Sequence, residues 1–488
     1  MDNGNSPPLP TQVKLVRGIG PWQATALNVT MIVGAGVFVT IPSMLGALPG
    51  PYALLGWIAA GVLIKIDGMI WSELGAALPG SGGSYHFLLE CYGRERWGRL
   101  MAFLFIWQFL LSGPLELGSG LVALAQFATY LSPGFQQWNK EWTIRWEIWH
   151  EQGLSVSFGP SRFVAVLCGL SIIVLLYRNI STLGRLTVTF WLGVLAAIVW
   201  NLVEGWLRFD LTRVCDYSGD AACTPNFAAQ LGPAMILALY SYLGYYSVCY
   251  IGDEVRDPGK TIPRSISWSV TIVCLLFIGL HIGWLSVVPW EEIPTANNDE
   301  YSLAAVFMER IHGPWAATLV TILLIWSCYG SAFAGLLGYS RIPYGAARNG
   351  HFFAVFNRVH PVHHIPHVSL VLVGVMMLLW SFFDLQNVIN ALITTRILEQ
   401  FIGQVFGVML LRDRRPDLYR PYKIWLYPLP CFLALAGWLY VYLSAGSLFI
   451  GLGVGTLLIG VVVFFLWSHR TRGWPFAPAA LPNQGVAT

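Results

Sequence analysis

Apolar and polar positions along this chain fall into long blocks. Runs of about 20 apolar residues, the length that a helix needs to cross the hydrocarbon core of a bilayer, are separated by short connections rich in Arg, Gly, Pro and Asp. The pattern predicts an all-α polytopic membrane protein with about twelve spans. The predicted spans cover residues 24–47, 53–76, 100–131, 160–177, 186–207, 229–252, 266–289, 314–338, 367–384, 387–411, 425–445 and 447–467.

The composition agrees with a chain that folds in lipid. The 488 residues are 56% hydrophobic and only 11% charged, and they include 22 Trp. The first 23 residues are polar and Pro-rich, without a short apolar region followed by a small-residue cleavage site. No cleavable signal peptide is therefore predicted, and the first span is expected to be retained.

The positions of Lys and Arg set the predicted orientation, because cytoplasmic connections carry an excess of both. With the N-terminus inside, most of the 28 basic residues fall in cytoplasmic segments, including the run from Arg412 to Lys423. Both termini are then cytoplasmic, in a plasma or inner membrane. The net charge of +3 follows from this distribution and indicates no nucleic-acid partner, since no basic stripe with interleaved aromatics lies outside the spans.

The first predicted span contains glycines where a helix interior should avoid them. Gly34 and Gly36, followed by Pro42 and Gly46, each weaken a helix by roughly 1 kcal/mol or more relative to alanine. A broken helix explains them, and irregular backbone at membrane depth survives only where it lines a cavity or is packed in protein. The alternative is close packing of helices through small residues.

The sixth predicted span has a second irregular stretch, Ala238 to Tyr246, which is rich in Tyr and punctuated by Gly244. Interrupted helices at corresponding positions of two five-span halves indicate an inverted-repeat transporter, with substrate held between them at the midplane.

The expected divisions are an N-terminal tail (1–23), spans one to five (24–207), an extracellular loop (208–228), spans six to ten (229–411), a loop with spans eleven and twelve (412–467) and a C-terminal tail (468–488).

Several charged residues lie inside predicted spans, where they must face protein or water. Lys65 and Asp67 are two residues apart and so point to different faces of one helix, which predicts that they do not pair with each other. A structural ion pair with another helix and a role in transport both remain open for them. Glu116 lies beside Pro114, a predicted weak point of the third span, and is the better functional candidate.

The tenth predicted span carries an unusual polar face. Arg396, Glu399, Gln400 and Gln404 follow one another at spacings of three and four residues. The spacing predicts a local ion pair between Arg396 and Glu399, which would keep Glu399 ionised.

Taken together, short motifs along nearly the whole chain resemble those of the amino acid–polyamine–organocation superfamily, and most closely those of L-type amino acid transporters and bacterial permeases. The resemblance implies a ten-helix inverted-repeat core with two added helices, and amino acid transport by alternating access. The motifs are Gly34 to Phe38; Ser72 to Gly75 with Pro79 and Gly82 to Tyr85; Asp253-Glu254 with Asp257-Pro258 and Ile262-Pro263; Arg341 with Ala347 to Gly350; and Arg415 to Asp417 with Arg420 to Tyr422.

The resemblance also implies where substrate binds. The backbone N–H groups of Gly34, Ala35 and Gly36 would hold its carboxylate at the positive start of a half-helix. The carbonyl groups of Tyr240, Ser241 and Leu243 would hold its ammonium group, with Tyr240 as an aromatic gate. Ile32, Glu116 and Gly244 complete the expected pocket.

The chain departs from the family pattern in three places, one of which is the polar face from Arg396 to Gln404, where relatives are usually apolar. Ala35 stands where many relatives have serine, so a hydroxyl contact is lost while the amide remains. Val194 stands where many relatives have a lysine that takes the place of a sodium ion. The expected coupling ion is therefore a proton carried by Glu116, because burial favours the protonated form of a carboxylate. Sodium, held by hydroxyls such as those of Ser327 and Ser331, is the alternative.

We therefore expect proton-coupled uptake of neutral or small amino acids. An exchanger, a sodium-coupled carrier, a carrier of cationic amino acids and a non-transporting amino acid sensor are the alternatives. The expected partners are the amino acid, the coupling ion and the bilayer. No cofactor, metal site or enzymatic activity is predicted, since no metal-binding cluster or activated nucleophile is recognisable within the spans.

Two of the eight cysteines lie in one predicted outer loop. Cys215 and Cys223 flank Gly219, which lets the loop double back, and the outer side of a membrane is oxidising. A disulfide between them is predicted, with two free thiols as the alternative.

A membrane-impermeant thiol reagent tests both the disulfide and the orientation. In intact cells the reagent should label Cys215 and Cys223 only after reduction, because a disulfide does not react with it. Labelling is compared with a Cys215→Ser, Cys223→Ser double variant. Labelling without reductant would disprove the disulfide, and labelling only after lysis would reverse the orientation.

Overall fold

The computed structural model describes residues 17–34, 36–80, 82–149, 154–177, 183–215, 226–293, 302–361, 363 and 365–476. The described chain is mostly helical. The first nine helices are α1 (Pro21–Ile32), α2 (Gly36–Ala47), α3 (Ala53–Ala77), α4 (Ser84–Tyr92), α5 (Trp97–Tyr130), α6 (Pro133–Trp142), α7 (Pro160–Leu176), α8 (Leu183–Leu207) and α9 (Leu211–Val214). They are followed by α10 (Phe227–Tyr242), α11 (Pro258–Leu285), α12 (Leu303–His312), α13 (Pro314–Tyr339), α14 (Arg341–Arg348), α15 (His367–Trp380), α16 (Leu385–Arg396), α17 (Gly403–Arg414), α18 (Leu429–Leu443) and α19 (Ser447–Arg470).

Many of these helices are apolar enough to lie in a bilayer. Among the described residues, five helical stretches are long and apolar enough to cross a membrane, and the bent pair α1–α2 is a sixth. The five stretches are Gly50–Ala77, Trp97–Tyr130, Pro258–Leu285, Pro314–Arg348 and Ser447–Arg470. In α19 the exposed side chains include Leu458, Val462 and Leu466, which suit contact with lipid. The chain is thus a polytopic helical membrane protein.

The structure corrects the prediction of an all-α chain. Residues Ile144–Trp149 (β1) and Leu154–Phe158 (β2) form an antiparallel hairpin in which Ile144 lies opposite Phe158. Apolar and charged residues alternate with period two in β1, which is the pattern of a strand. This pattern lies in a connection between predicted spans, and a prediction based on spans leaves it as a loop.

The hairpin is bonded to the junction between α15 and α16. The backbone N–H of Ser157 donates to the carbonyl of Phe382 at 2.8 Å. The carboxylate of Asp384, at the start of α16, accepts from the side chains of Arg145 and Ser155. Arg162 at the start of α7 lies 3.6 Å from the same carboxylate. One buried anion therefore joins the hairpin, α7 and α16.

The expected weak point at Pro114 is also corrected, because α5 runs without interruption from Trp97 to Tyr130. A proline removes one backbone hydrogen bond from a helix, and neighbouring helices compensate when they pack closely. Here α5 packs against α13, α15 and α16. The helix therefore remains continuous through the proline.

In the described part of the chain, two spans are interrupted by non-helical backbone. The axes of α1 and α2 meet at 55° across the break at residues 33–35. Helix α10 ends at Tyr242, and the chain continues through Gly244 into short 3₁₀ turns at Ser247–Tyr250 and Gly252–Glu254. Gly244 has a φ of +101°, and a Cβ there would lie 2.9 Å from the carbonyl oxygen of Met31. The close approach of the two breaks thus requires glycine at this position.

The polar stretch of the tenth predicted span adopts a π-helix at Ile397–Ile402, between α16 and α17. A π-helical turn inserts an extra residue into a helix and often marks a functional site. The buried side chains of this stretch include those of Glu399 and Gln400.

Candidate substrate cavity

A cavity of about 200 Å³ lies between the two interrupted helices. Its walls come from five parts of the chain. The lining residues are Thr30 to Gly34, Gly36 and Val39 on α1, α2 and their break; Glu116, Leu117, Gly120 and Ala123 on α5; Phe190 and Val194 on α8; Tyr240, Ser241 and Leu243 at the end of α10; and Cys328, Gly330 to Ala332, Ala334, Gly335 and Tyr339 on α13.

The start of α2 and the end of α10 meet at this cavity. The hydroxyls of Thr40 on α2 and Ser241 on α10 are hydrogen-bonded at 2.9 Å. The first N–H groups of a helix and its last carbonyls lack partners within the helix, so the two ends carry opposite partial charges. The pair of ends can therefore bind a small zwitterion, with its anionic group at α2 and its cationic group at α10.

The glycines of the first break lie close to other walls of the cavity. A Cβ on Gly36 would lie 3.2 Å from Cε1 of Tyr240, and a Cβ on Gly34 would lie 3.4 Å from Oγ of Ser331. Ala35, the third residue implied to bind the carboxylate, lies outside the described residues. Space at the break is thus restricted, and a side chain at Gly36 would meet the aromatic ring.

Tyr240 is fixed at both ends of its side chain. Its ring lies against Gly36, and its hydroxyl is hydrogen-bonded at 2.8 Å to Oγ of Ser119 on α5. Ser119 in turn donates to the carbonyl of Glu116 at 2.6 Å. The Tyr240 carbonyl, one of those implied to hold the substrate ammonium, accepts the N–H of Leu243 at 3.3 Å. The second lone pair of this oxygen remains for a ligand.

Glu116 lines the cavity, but its carboxylate already has partners. Oε2 lies 2.6 Å from Nη2 of Arg396 and accepts the hydroxyl of Tyr339 at 2.7 Å. The prediction of a local pair between Arg396 and Glu399 is therefore wrong, because Arg396 reaches across to α5. Glu399 is 2% exposed, and its Oε2 has no hydrogen-bond partner in the described part of the chain.

Lys65 and Asp67 are not among the residues that line the cavity. Lys65 donates to Oγ of Ser267 at 2.9 Å and to Oγ1 of Thr271 at 2.7 Å, both on α11. Asp67 accepts from the hydroxyl of Tyr245 and, at 3.1 Å, from Nε1 of Trp438 on α18. The two residues therefore have separate partners, and neither contacts the space between the helix breaks.

The other expected site residues are divided between the cavity and its surroundings. Ile32 lines the cavity, whereas Gly244 packs against Met31 behind it. Cys215 is exposed, but Cys223 lies outside the described residues, so the disulfide stays a prediction.

The sequence did not predict a role for Thr40, Ser119 or Tyr339. Their signal was a hydroxyl within an apolar span, which is too common to select them.

A helical membrane protein that encloses a small cavity between two interrupted helices has the general design of a secondary transporter. The chain belongs to the amino acid permease family, whose profile matches residues 19–480, and thereby to the amino acid–polyamine–organocation superfamily. The expected family is confirmed.

Three relatives illustrate the range of this similarity. The chain is 26% identical to the human cystine/glutamate transporter over 430 residues, which cover 86% of this chain and 79% of the relative. It is 26% identical to the serine/threonine exchanger SteT of Bacillus subtilis (strain 168) over 435 residues, 88% of this chain and 90% of the relative. It is also 26% identical to the rat large neutral amino acids transporter small subunit 2 over 482 residues, 94% of this chain and 83% of the relative.

Replacing Gly36 or Gly34 by valine should weaken substrate binding. A valine side chain at Gly36 would enter the space beside Tyr240, and one at Gly34 would meet Ser331. We expect amino acid affinity, measured on purified protein, to fall by about tenfold or more, a loss of ~1.4 kcal/mol. The matched control is Gly455→Val in α19, where a Cβ has no neighbour within 4 Å. Unchanged affinity in both variants would place the site elsewhere.

Tyr240 should act through its ring more than through its hydroxyl. Tyr240→Phe removes the hydrogen bond to Ser119, a loss of roughly 1 kcal/mol. Tyr240→Ala also removes the wall against Gly36, so initial uptake rates should fall further in this variant. Equal losses in the two variants would show that the hydroxyl matters and the ring does not.

Proposed function

We propose that this chain is a secondary active transporter that takes up neutral or small amino acids by alternating access, coupled to protons. The observation that carries the proposal is the meeting of a helix start and a helix end at a cavity of about 200 Å³. The two ends offer donors and acceptors to the carboxylate and ammonium that every amino acid shares. The amino acid permease family and its transporter relatives support the same function.

The charge on the cavity wall favours an uncharged side chain on the substrate. Glu116 would attract a cationic side chain if it were free, but Arg396 neutralises it within the pair. The rest of the lining is apolar or hydroxylic. One relative is named for serine and threonine and another for large neutral amino acids, and both names are compatible with this wall.

The proposed architecture has twelve spans, ten of which form an inverted repeat of five and five, with the last two added. Two interrupted helices support it, the pair α1–α2 near the start of the first half and α10 at the start of the second. The divisions at residues 24, 208, 229, 412 and 468 and cytoplasmic termini in a plasma or inner membrane complete the proposal.

Coupling to a proton is preferred because Val194 leaves the cavity wall near α8 without a charge. Sodium remains the alternative. Oγ of Ser331 is close to Gly34, and Ser327 donates its hydroxyl to the carbonyl of Leu323 at 2.6 Å, which leaves its oxygen free to accept or ligate. One-for-one exchange is the second alternative, since one relative is named an exchanger.

Uptake into proteoliposomes tests the proposal. With an inwardly directed proton gradient and no sodium, the purified chain should accumulate radiolabelled serine or alanine, and unlabelled neutral amino acids should compete better than lysine or glutamate. Gly36→Val vesicles serve as the inactive control. Accumulation only with sodium would replace the proton. Uptake only into preloaded vesicles would show an exchanger, and binding without uptake would show a sensor.

A further inference from the structure

Three ionisable side chains lie next to one another beside the cavity. Glu116 is on α5, Arg396 ends α16, and Glu399 lies three residues later in the π-helical segment. Arg396 and Glu399 are each 2% exposed. Two carboxyls and one guanidinium are electrically neutral only when one carboxyl carries a proton, and an unbalanced charge costs several kcal/mol at membrane depth.

The hydrogen bonds decide which carboxyl carries the proton. Oε2 of Glu116 receives both the guanidinium of Arg396 and the hydroxyl of Tyr339, and such donors stabilise an anion. Oε2 of Glu399 receives no hydrogen bond from the described residues. The Glu399 carboxyl does accept a hydrogen bond from its own backbone, but this neutral donor does not balance a full buried charge. A buried carboxylate with one oxygen unbonded is strongly disfavoured, whereas a protonated carboxyl is tolerated.

The surroundings of Glu399 supply no second cation. The described elements that pack against the π-helical segment are α5, α16, α17 and α18. The ionisable side chains that they bring to this cluster are Arg396 and Glu116, which pair with each other, and Tyr442 on α18. Tyr442 donates its hydroxyl to the carbonyl of Ile450 at 2.8 Å. Among the described residues, these elements therefore bring no second cation to an ionised Glu399.

We propose that Glu399 is the residue that binds and releases the coupled proton, and that Arg396 transmits its protonation state to the cavity through Glu116. This inference rests on the proposed proton-coupled uptake and replaces Glu116 as the proton carrier. On one side of the membrane hydronium gives up a proton, so that one of its O–H bonds breaks as the O–H bond of the Glu399 carboxyl forms. On the other side the carboxyl O–H bond breaks as water accepts the proton and hydronium forms.

Arg396 links the protonation state of Glu399 to the structure of the cavity wall. In this structure the guanidinium forms its salt bridge with Glu116, which is the arrangement that a neutral Glu399 would leave in place. Once the proton leaves, Glu399 becomes a second anion for the same guanidinium, and the pair at the cavity wall is weakened. The π-helical segment begins directly after Arg396 and contains Glu399. A π-helical turn is a place where a helix can change its register. The two possible partners of Arg396, Glu116 and Glu399, therefore define two arrangements of the tenth span.

Three measurements on reconstituted Glu399→Gln test the inference. Under an inward proton gradient, accumulation of labelled serine should fall to the level of vesicles without a gradient, because the carboxamide stays neutral. Serine counterflow between preloaded vesicles and medium should persist, because the neutral state still binds and moves substrate. Proton uptake, followed with a dye inside the vesicles, should no longer accompany serine.

Two control variants accompany this test. Glu399→Asp keeps a titratable group and should retain gradient-driven accumulation. Glu309→Gln removes an exposed carboxylate on α12, which accepts the hydroxyl of Tyr130 at 3.2 Å, and should behave as the original chain does.

The outcomes separate the inference from the function on which it rests. Gradient-driven accumulation that survives in Glu399→Gln overturns the inference. Loss of counterflow together with accumulation also overturns it, since Glu399 would then be needed for structure or binding. If the unaltered chain shows counterflow but no gradient-driven accumulation, the proposed proton coupling itself fails, and Glu399→Gln should then match the unaltered chain in every assay.

Discussion

Lipid offers no hydrogen bonds, so every backbone N–H and C=O at membrane depth must find a partner inside the protein. The breaks after α1 and α10 violate the simplest way of meeting this demand, which is a continuous helix. The structure tolerates them because they lie together, around a cavity that exposes one free helix start and one free helix end. The same groups, which would be left without partners in a lipid-facing helix, are the polar contacts of the binding site that we propose.

Buried charge is handled by the same rule. Glu73 on α3 is bound by Arg412 on α17 and by the backbone N–H of Ile424 at 2.8 Å, and Glu116 is bound by Arg396. Asp67 has no cation but receives two neutral donors. Among the buried carboxylates of the described residues, Glu399 is the exception, because its Oε2 receives no hydrogen bond. The contrast with Glu73, Asp67 and Asp384 supports the proposal that Glu399 carries a proton.

The sequence indicated where helices break, but it did not predict which residues far apart along the chain would contact each other. The low helix propensity of Gly34 and Gly36 indicated a break there, with close helix packing as the alternative, and the stretch around Gly244 was indicated in the same local way. The partner of Arg396 lies on another helix far away along the chain, so a rule for neighbours on one helix selected Glu399 instead of Glu116. Pro114 failed as a break for a related reason, since packing from α13 and α16 outweighs the local cost.

The hairpin of β1 and β2 has a consequence for motion. Asp384 at the start of α16 holds Arg145 of the hairpin and lies near Arg162 of α7, while β2 is bonded to the end of α15. These contacts connect α7, α15 and α16 at one end, so we expect the three helices to tilt together. If the cavity opens and closes as proposed, the movement should fall to elements without these contacts, such as the two interrupted helices, whose breaks can act as hinges.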